Sequence, residues 1–264
     1  MTRFIDTHCH IDTILEKTGG TSEALFEQIT TPDLEAIVHI ACDPRDFAWG
    51  REFLLRKEIN GVKIYGAFGV HPLNAEKFCE QAEAEIIEYL KLPNALALGE
   101  IGLDYHYPNY SPDLQKRVFA RQLEIGLELS KPFVFHTREA DDDTFEILQK
   151  FDCEKVKAHI HCYTGSASFA QKILALKGTY FFGFTGAVTF NKTATIREAA
   201  AAIPLDKILL ETDAPYLAPV PFRGKVCTPA MIPNTAQVLA GIKNISLDDL
   251  FKACRQNTEK MYGI

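Results

Sequence analysis

The sequence lacks several features that would place it in a specialised class of protein. No apolar run approaches the roughly 18 residues of a membrane helix, and the start, Met1–Asp6, lacks the apolar stretch of a signal peptide. The seven cysteines are never spaced as Cys-x-x-Cys, so neither a disulfide framework nor a thiolate zinc site is indicated. Sequence repeats of about 20–50 residues are missing too. These absences predict a cytoplasmic globular protein with no membrane attachment.

What is present is an ordinary globular composition. The chain has 264 residues, of which 47 % are hydrophobic and 24 % charged, so it is long enough to bury a large core and too apolar to be disordered. Acidic residues outnumber basic ones, and the formal net charge is −7. This charge argues against a broad surface for nucleic acid, but two bound dications would add four positive charges at one place. Net charge therefore does not decide the substrate.

Short apolar segments alternate with longer helical stretches, which is typical of βα units and a parallel sheet. Asp43 and Ser111 each precede a proline, and Ser246 opens a sequence that resembles a capping box, so each marks a helix start. The predicted strands are Arg3–Thr7, Ala36–Ala41, Lys63–Phe68, Ala95–Gly99, Phe133–Phe135, Lys157–Ile160, Tyr180–Phe184 and Lys207–Thr212. A loop rich in proline and glycine, Ala214–Pro229, follows the last strand. Eight βα pairs without a linker predict an α/β fold, a single TIM-type (β/α)8 barrel over residues 1–264.

Five of the eight histidines and two acids stand where a predicted strand gives way to its loop. In barrels of this type the active site lies at that face. His8 and His10 are two residues apart, so their side chains point the same way and can reach one ion together. The full set is His8, His10, His71, Glu100, His136, His161 and Asp213. Desolvating so many polar groups without a metal would cost several kcal/mol each, which favours a metal site.

Four further residues are open to more than one interpretation or are predicted to be structural. His39 and His159 fall within strands, and we expect them to be packed core residues. His106 lies in a loop and fits either a structural or a functional role. Glu211 lies on the same strand face as Asp213, so it either orients a ligand from below or forms an ion pair in the barrel core.

Six motifs extend over almost the whole chain and carry a family resemblance. They are Asp6-Thr-His-Cys-His10, Gly69-Val-His-Pro72, Gly99-Glu-Ile-Gly-Leu-Asp-Tyr105, Phe135-His-Thr-Arg-Glu-Ala140, His161-Cys-Tyr-Thr-Gly165 and Glu211-Thr-Asp-Ala-Pro-Tyr-Leu217. With these motifs the sequence resembles the TatD family of metal-dependent deoxyribonucleases, a branch of the amidohydrolase-like barrels. The chain departs from the family's usual Arg-Asn-Glu-Pro after the last strand, where it reads Lys225-Val-Cys-Thr-Pro229.

The resemblance implies a dinuclear metal site at the carboxyl ends of the strands. The implied ligands are His8, His10 and Asp213 for one divalent ion, His136 and His161 for the other, and Glu100 as the bridge between them. Elsewhere in the superfamily a carboxylated lysine often bridges the ions, whereas a carboxylate stands in that place here. The family implies Mg²⁺ or Mn²⁺ for activity, but a nitrogen-rich set also suits Zn²⁺ or another transition metal in the isolated protein.

The resemblance also implies a nuclease that cleaves phosphodiester bonds through a metal-activated water. The expected activity is that of a deoxyribonuclease, and more narrowly an exonuclease, on single-stranded DNA or DNA ends. We expect Asp213 both to bind metal and to take the proton of the attacking water, with Glu100 as the second catalytic residue. His71, Arg138 and Tyr105 are candidates for substrate contact, with supporting or surface positions as the alternative. Rim aromatic residues expected to stack on unpaired bases are Tyr105, Tyr107, Tyr163 and Phe222.

Two other functions fit the same residues. A hydrolase of the same barrel class would use the same water to attack the carbonyl carbon of an amide, ester or lactone. A metal-binding protein without turnover ranks last, because all six ligands and the proton acceptor Asp213 are present. No obligate protein partner is evident from the sequence.

Overall fold

A computed structural model describes residues 3–264. Met1 and Thr2 lie outside the described residues. The strands are β1 (Phe4–Cys9), β2 (Leu34–Ala41), β3 (Glu58–Ile59), β4 (Val62–Phe68), β5 (Ala95–Asp104), β6 (Phe133–Arg138), β7 (Lys157–Ile160), β8 (Thr179–Phe184) and β9 (Ile208–Leu210). Apart from β3, they pair in parallel in the order β1-β2-β4-β5-β6-β7-β8-β9. This sheet curves into a nearly closed barrel, which confirms the predicted α/β barrel fold.

The ends of the sheet meet through backbone hydrogen bonds just beyond β9. The amide of Asp213 donates to the carbonyl of His8 at 2.9 Å, and the amide of His10 donates to the carbonyl of Ala214 at 2.7 Å. Cys9 and Ala214 form an isolated parallel bridge at the same place. The contact that closes the barrel therefore also brings three of the predicted metal ligands together.

Ten α-helices within residues 3–264 cover the outside of the barrel. They are α1 (Ile11–Thr18), α2 (Ser22–Ile29), α3 (Phe47–Leu55), α4 (Glu80–Tyr89), α5 (Pro112–Glu128), α6 (Asp141–Lys150), α7 (Ala167–Leu174), α8 (Ala194–Ala202), α9 (Ile232–Lys243) and α10 (Leu247–Tyr262). Ser111 and Ser246 cap α5 and α10 by accepting the amides of Leu114 and Asp249 at 3.3 and 3.1 Å, as predicted. Among these helices, none is both long enough and apolar enough to span a membrane.

The structure corrects several predicted boundaries. Strand β3 was not predicted, and it pairs antiparallel with β4 across a two-residue turn. The helix expected just after Asp43 begins instead at Phe47. The Asp43 carboxylate accepts the amide of Arg45 at 3.0 Å and the ammonium of Lys77 at 2.6 Å, which stabilises a turn there. The last strand is shorter than predicted, because Lys207 belongs to a 3-10 turn that precedes it.

Apolar residues from six strands fill the interior of the barrel. This inner cluster is Val38, Ile40, Ala67, Leu96, Ala97, Val134, Phe181 and Leu209, together with Met261 and Tyr262 at the end of α10. A larger apolar cluster lies between the strands and the surrounding helices. The period-two alternation of strand side chains separates the two clusters. This inner cluster is thus mainly apolar, and the predicted metal ligands lie at the carboxyl ends of the strands.

Candidate metal centre

All six predicted metal ligands converge at the carboxyl ends of the barrel strands. His8 lies in β1 and His10 follows it, Glu100 lies in β5, His136 lies in β6, and His161 and Asp213 follow β7 and β9. Their side chains are between 0 % and 16 % exposed. The structure therefore gathers side chains from five strands into one buried cluster that is open to solvent on one side.

Four donor atoms form a compact group around His8. Its Nε2 lies 3.3 Å from Nε2 of His10, 3.5 Å from Oε2 of Glu100 and 3.7 Å from Oδ1 of Asp213. The same Asp213 oxygen lies 3.5 Å from Nε2 of His10. Four donors bound tetrahedrally at about 2.1 Å would be separated from one another by about 3.4 Å. The spacing of this first donor group therefore fits one divalent ion.

The other oxygen of Glu100 faces a second donor group. Oε1 lies 2.7 Å from Nδ1 of His136 and 2.9 Å from Nε2 of His161. These two nitrogens are 3.4 Å apart. Because Oε1 and Oε2 face different pairs of histidines, Glu100 is positioned to share its carboxylate between two ions.

A bulge in β5 turns Glu100 into the barrel. The register between β5 and β6 shifts between Gly99 and Ile101, so Glu100 is an extra residue with no opposite partner. The strand then continues to Asp104, whereas the sequence interpretation ended it at Gly99. A regular strand would alternate its side chains without interruption, so the bulge is what sets the direction of this carboxylate.

Hydrogen bonds at the outer ring nitrogens orient two of the histidines. Nδ1 of His10 lies 3.1 Å from the carbonyl oxygen of Ile40, which can only accept, so Nδ1 carries a proton and Nε2 is the nitrogen that faces the other donors. Nε2 of His136 lies 3.2 Å from a carboxylate oxygen of Asp104, which favours Nδ1 as the metal-binding atom. Asp104 is not among the predicted site residues, although it stands four residues after Glu100 in the same motif.

Burial and neighbouring charges set the protonation of the cluster. Burial lowers the pKa of His8 to about 4, so this ring is neutral at pH 7. Burial also raises the pKa of Glu100, but the charge of His161 and the hydrogen bonds from His136 and His161 outweigh that effect and hold the pKa well below its usual range. Burial lowers the pKa of His10, yet the Asp213 carboxylate reverses this and raises the pKa well above its usual value. An ion that binds at His10 would therefore displace a proton.

His71 lies beside the second donor group, with Nε2 3.6 Å from Oε1 of Glu100. Its Nδ1 accepts the amide of Leu73 at 3.1 Å, so the proton of the neutral ring sits on Nε2. Burial lowers the pKa of His71 to about 3, which keeps the ring neutral at pH 7. In this tautomer Nε2 can donate a hydrogen bond and has no lone pair for a metal.

A buried chain of polar side chains lies beneath the ligands. Nδ1 of His159 lies 2.8 Å from the Tyr262 hydroxyl, and its Nε2 lies 2.9 Å from Oε2 of Glu211. Oε1 of Glu211 accepts the amide of Cys162 at 2.5 Å and lies 3.7 Å from Nδ1 of His161. His159 is thus a buried core residue. Glu211 combines the two alternatives foreseen for it, because it pairs within the core and also faces a predicted ligand.

The predicted substrate contacts lie at the rim. Arg138 is exposed, and its guanidinium carbon lies 5.7 Å from the centre of the Tyr107 ring. Tyr105 is half-buried and donates its hydroxyl to Asp143 at 2.7 Å. Arg138 and Tyr105 line a cavity of about 720 Å³ together with Glu139 and Asp141–Asp143. The cavity on this side of the centre is therefore mainly acidic.

The structure shows the surroundings of two further residues near the rim, Tyr163 and His106. Tyr163 was expected to stack on bases, but its side chain is 2 % exposed and its hydroxyl donates to the Ser166 carbonyl at 2.6 Å. That expectation is wrong, because the loop folds the ring inward. His106 stays at the surface, where Nδ1 lies 2.6 Å from the Glu139 carboxylate. The structure therefore places His106 apart from both donor groups.

The barrel and its two donor groups define a protein of the metal-binding α/β-barrel class. Comparison with known proteins identifies the family within that class. The family model described as "TatD related DNase" matches residues 5–263. The chain therefore belongs to the TatD family of metal-dependent hydrolases.

Individual relatives agree with this assignment. The human protein named 3'-5' RNA nuclease TATDN2 is 36 % identical to this chain in an alignment that covers 99 % of this chain. The same alignment covers only 35 % of the human protein. The Bacillus subtilis protein YabD, named an uncharacterised metal-dependent hydrolase, is 32 % identical over 98 % of both chains. The crystal structure of YJJV, a TatD homologue from Escherichia coli K12, matches with a TM-score of 0.89 and 26 % identity over 99 % of this chain and 98 % of that one.

Proposed function

We propose that this protein hydrolyses phosphodiester bonds of nucleic acid and acts as a deoxyribonuclease, more narrowly an exonuclease, on single-stranded DNA or DNA ends. The observation that carries the proposal is the position of Glu100, whose two oxygens face separate pairs of histidines at 2.7–4.0 Å. A shared carboxylate between two divalent ions is an arrangement suited to phosphodiester cleavage. The human relative is named an RNA nuclease, so RNA belongs in the same test.

The donor atoms suggest which residues would hold the ions. We assign His8, His10 and Asp213 to one ion, His136 and His161 to the other, and Glu100 to both. Divalent ions supply two things when bound in such a site, a lowered pKa for a water molecule and neutralisation of phosphate charge. Four imidazoles favour Zn²⁺ or Mn²⁺ in affinity, since Mg²⁺ prefers oxygen ligands.

Asp213 is the residue that we assign to accept the proton of the attacking water. Its side chain is 15 % exposed, so one face of the carboxylate is open to solvent while Oδ1 faces His8 and His10. The imidazole nitrogens of the two donor groups would hold the ions and could not accept a proton at the same time. The Asp213 carboxylate is then the nearest open acceptor.

Two residues are positioned to contact the phosphate. Nε2–H of His71 points toward Glu100 and can donate to a phosphate oxygen in the same space. Arg138 stands at the rim two residues beyond His136 and offers a planar guanidinium to a neighbouring phosphate. Tyr105 lines the same cavity as Arg138, although its hydroxyl is already bonded to Asp143.

The test is hydrolysis of end-labelled single-stranded DNA and RNA with added Mg²⁺, Mn²⁺ or Zn²⁺, beside a panel of amides, esters and lactones. Asp213→Asn should keep the fold and most of the bound metal, as measured by circular dichroism and elemental analysis. Its turnover should fall by about 10²- to 10⁴-fold, because the amide cannot accept a proton. Asp142→Asn, an exposed acid on the same face, is the matched control and should remain active. Turnover of carbonyl substrates without any cleavage of nucleic acid would overturn the proposal.

A further inference from the structure

The barrel face around the metal centre is divided by charge. Two loop segments, residues 185–193 after β8 and residues 214–231 beyond Asp213, contain no acidic residue. We call these two loops the basic arc, because they carry Lys192, Arg223 and Lys225. The loop between β6 and α6, by contrast, leads into the acidic run Asp141–Asp143. In a chain with a formal net charge of −7, the basic arc is a local region of positive charge beside the candidate site.

The cations of the basic arc lack carboxylate partners. Within residues 3–264, Lys192, Arg223 and Lys225 form no ion pair, whereas arginines elsewhere on the surface, such as Arg121 and Arg255, each contact two glutamates. The Arg223 guanidinium instead lies over an aromatic residue, with its carbon 3.7 Å from the centre of the Phe190 ring. Stacking of this kind orders the guanidinium and leaves its N–H groups available to an anion.

A cavity of about 460 Å³ opens beside this stacked pair. It is lined by Phe190, Asn191, Lys192, Thr193, Val220 and Arg223. The lining combines two cations with an amide, a hydroxyl and an aromatic ring. Cationic donors suit a phosphate, and planar groups suit the face of a base, so the cavity has the chemistry that single-strand binding sites use.

The basic arc is continuous with the metal centre. The amide of Tyr216 donates to the carbonyl of Asp213 at 2.9 Å, and the Tyr216 ring centre lies 6.4 Å from that of His10. Further along the same loop, the amide of Val220 donates to the hydroxyl of Thr189 at 2.9 Å and joins the two loops. Tyr216 is 48 % exposed, so an open aromatic ring lies along the chain between the ligand Asp213 and the cavity.

We propose that this cavity binds a nucleotide of a single-stranded substrate at a distance from the bond that is cleaved. Lys192 and Arg223 contact its phosphate, and its base stacks on the open face of the Arg223 guanidinium. The inference rests on the proposed function and adds the path of the strand beyond the phosphates next to the metal centre, which follows the basic arc. Every base has a π face, so this contact adds affinity without sequence preference.

The experiment compares Lys192→Gln, Arg223→Gln and the double variant with Lys177→Gln as the matched control. Lys177 is exposed and precedes β8, at the opposite end of the barrel. Steady-state kinetics use a dinucleotide and a strand of about 12 nucleotides, a length that reaches beyond the metal centre. For the longer strand, KM should rise about tenfold in the double variant while kcat stays close to wild type. The dinucleotide should be cleaved equally well by all the variants.

Equilibrium binding of the longer strand supplies a second measurement. The slope of log affinity against log salt should fall by about 0.7 for each phosphate contact removed. If wild type cleaves both substrates but the variants keep the wild-type KM and salt slope, or lose the dinucleotide and the longer strand equally, the inference is wrong and the proposed function stands. If wild type neither binds nor cleaves either substrate, the proposed function fails, and the inference fails with it.

Discussion

Replacing His159 by leucine tests how much the buried contact between His159 and Glu211, beneath the metal centre, contributes to the free energy of unfolding. His159 and Glu211 both have side chains that are 0 % exposed, and Nε2 lies 2.9 Å from Oε2. Leucine would remove the imidazole and leave the carboxylate in the barrel interior with the Cys162 amide, at 2.5 Å, as its nearest remaining donor. Leaving a buried carboxylate without its facing partner costs about 3–5 kcal/mol. We expect the free energy of unfolding to fall by about that amount.

Urea unfolding followed by circular dichroism measures the loss, with chelator present so that metal release does not contribute. Tyr262→Phe is the graded control, since it removes only the hydroxyl 2.8 Å from Nδ1 of His159 and should cost about 1 kcal/mol. The double change of His159 and Glu211 to leucine should recover stability relative to His159→Leu, because no charge remains unpaired. A loss below about 1 kcal/mol in His159→Leu, or a double variant no more stable than the single one, would refute the reasoning.

Three further outcomes are expected. In Gly183→Ala, the new Cβ would lie 2.3 Å from Nε2 of His159. Urea unfolding should therefore show that the free energy of unfolding falls by about 1–3 kcal/mol. Wild-type stability would mean that His159 and Glu211 have room to move. Hydrogen bonds from Arg255 hold the pKa of Glu35 below its usual range, so their stabilisation is present above about pH 4.3 and is lost as pH falls through the folded pKa. The urea midpoints of wild type and Glu35→Gln should therefore differ at pH 7 and converge in acid; a constant difference would contradict this. Protein purified without chelator should contain a transition metal in the first donor group, and added Mg²⁺ or Mn²⁺ should restore activity by filling the second; full activity with Mg²⁺ and no transition metal would contradict the ranking by ligand softness.

Positions that follow from regular strand geometry could be predicted from the sequence. Parallel strands in a barrel bring their carboxyl ends to one face, so a histidine or acid at such an end belongs to one cluster whatever the intervening loops do. His8 and His10 illustrate this, because their spacing of two residues alone orients both rings toward the centre. No knowledge of the loops was needed for these residues.

Positions that depend on irregular backbone could not be predicted in the same way. The bulge at Glu100 extends β5 to Asp104 and lets that acid support His136, but a bulge leaves no clear mark in a run of apolar residues. Tyr163 shows the opposite error. Its amide donates to the carbonyl of Gly183 at 2.8 Å, so the loop continues alongside β8 and buries the ring. Proximity to the end of a strand predicts at which end of the barrel a residue lies, but it does not predict whether the side chain is exposed.

The two polar levels of the barrel follow from one period-two rule. His159 and His161 are two residues apart at the end of β7, and Glu211 and Asp213 are two residues apart just after β9, so each of these segments contributes one group to a lower level and one to the metal centre. At the lower level His159 and Glu211 pair with each other, and only glycine at position 183 leaves space for that contact. The side chains of His159 and Glu211 face each other with Nε2 2.9 Å from Oε2, whereas an ion bound by the crowded donors above them would offset the desolvation of those donors. The same strand geometry thus yields a buried pair below and a set of predicted metal ligands above.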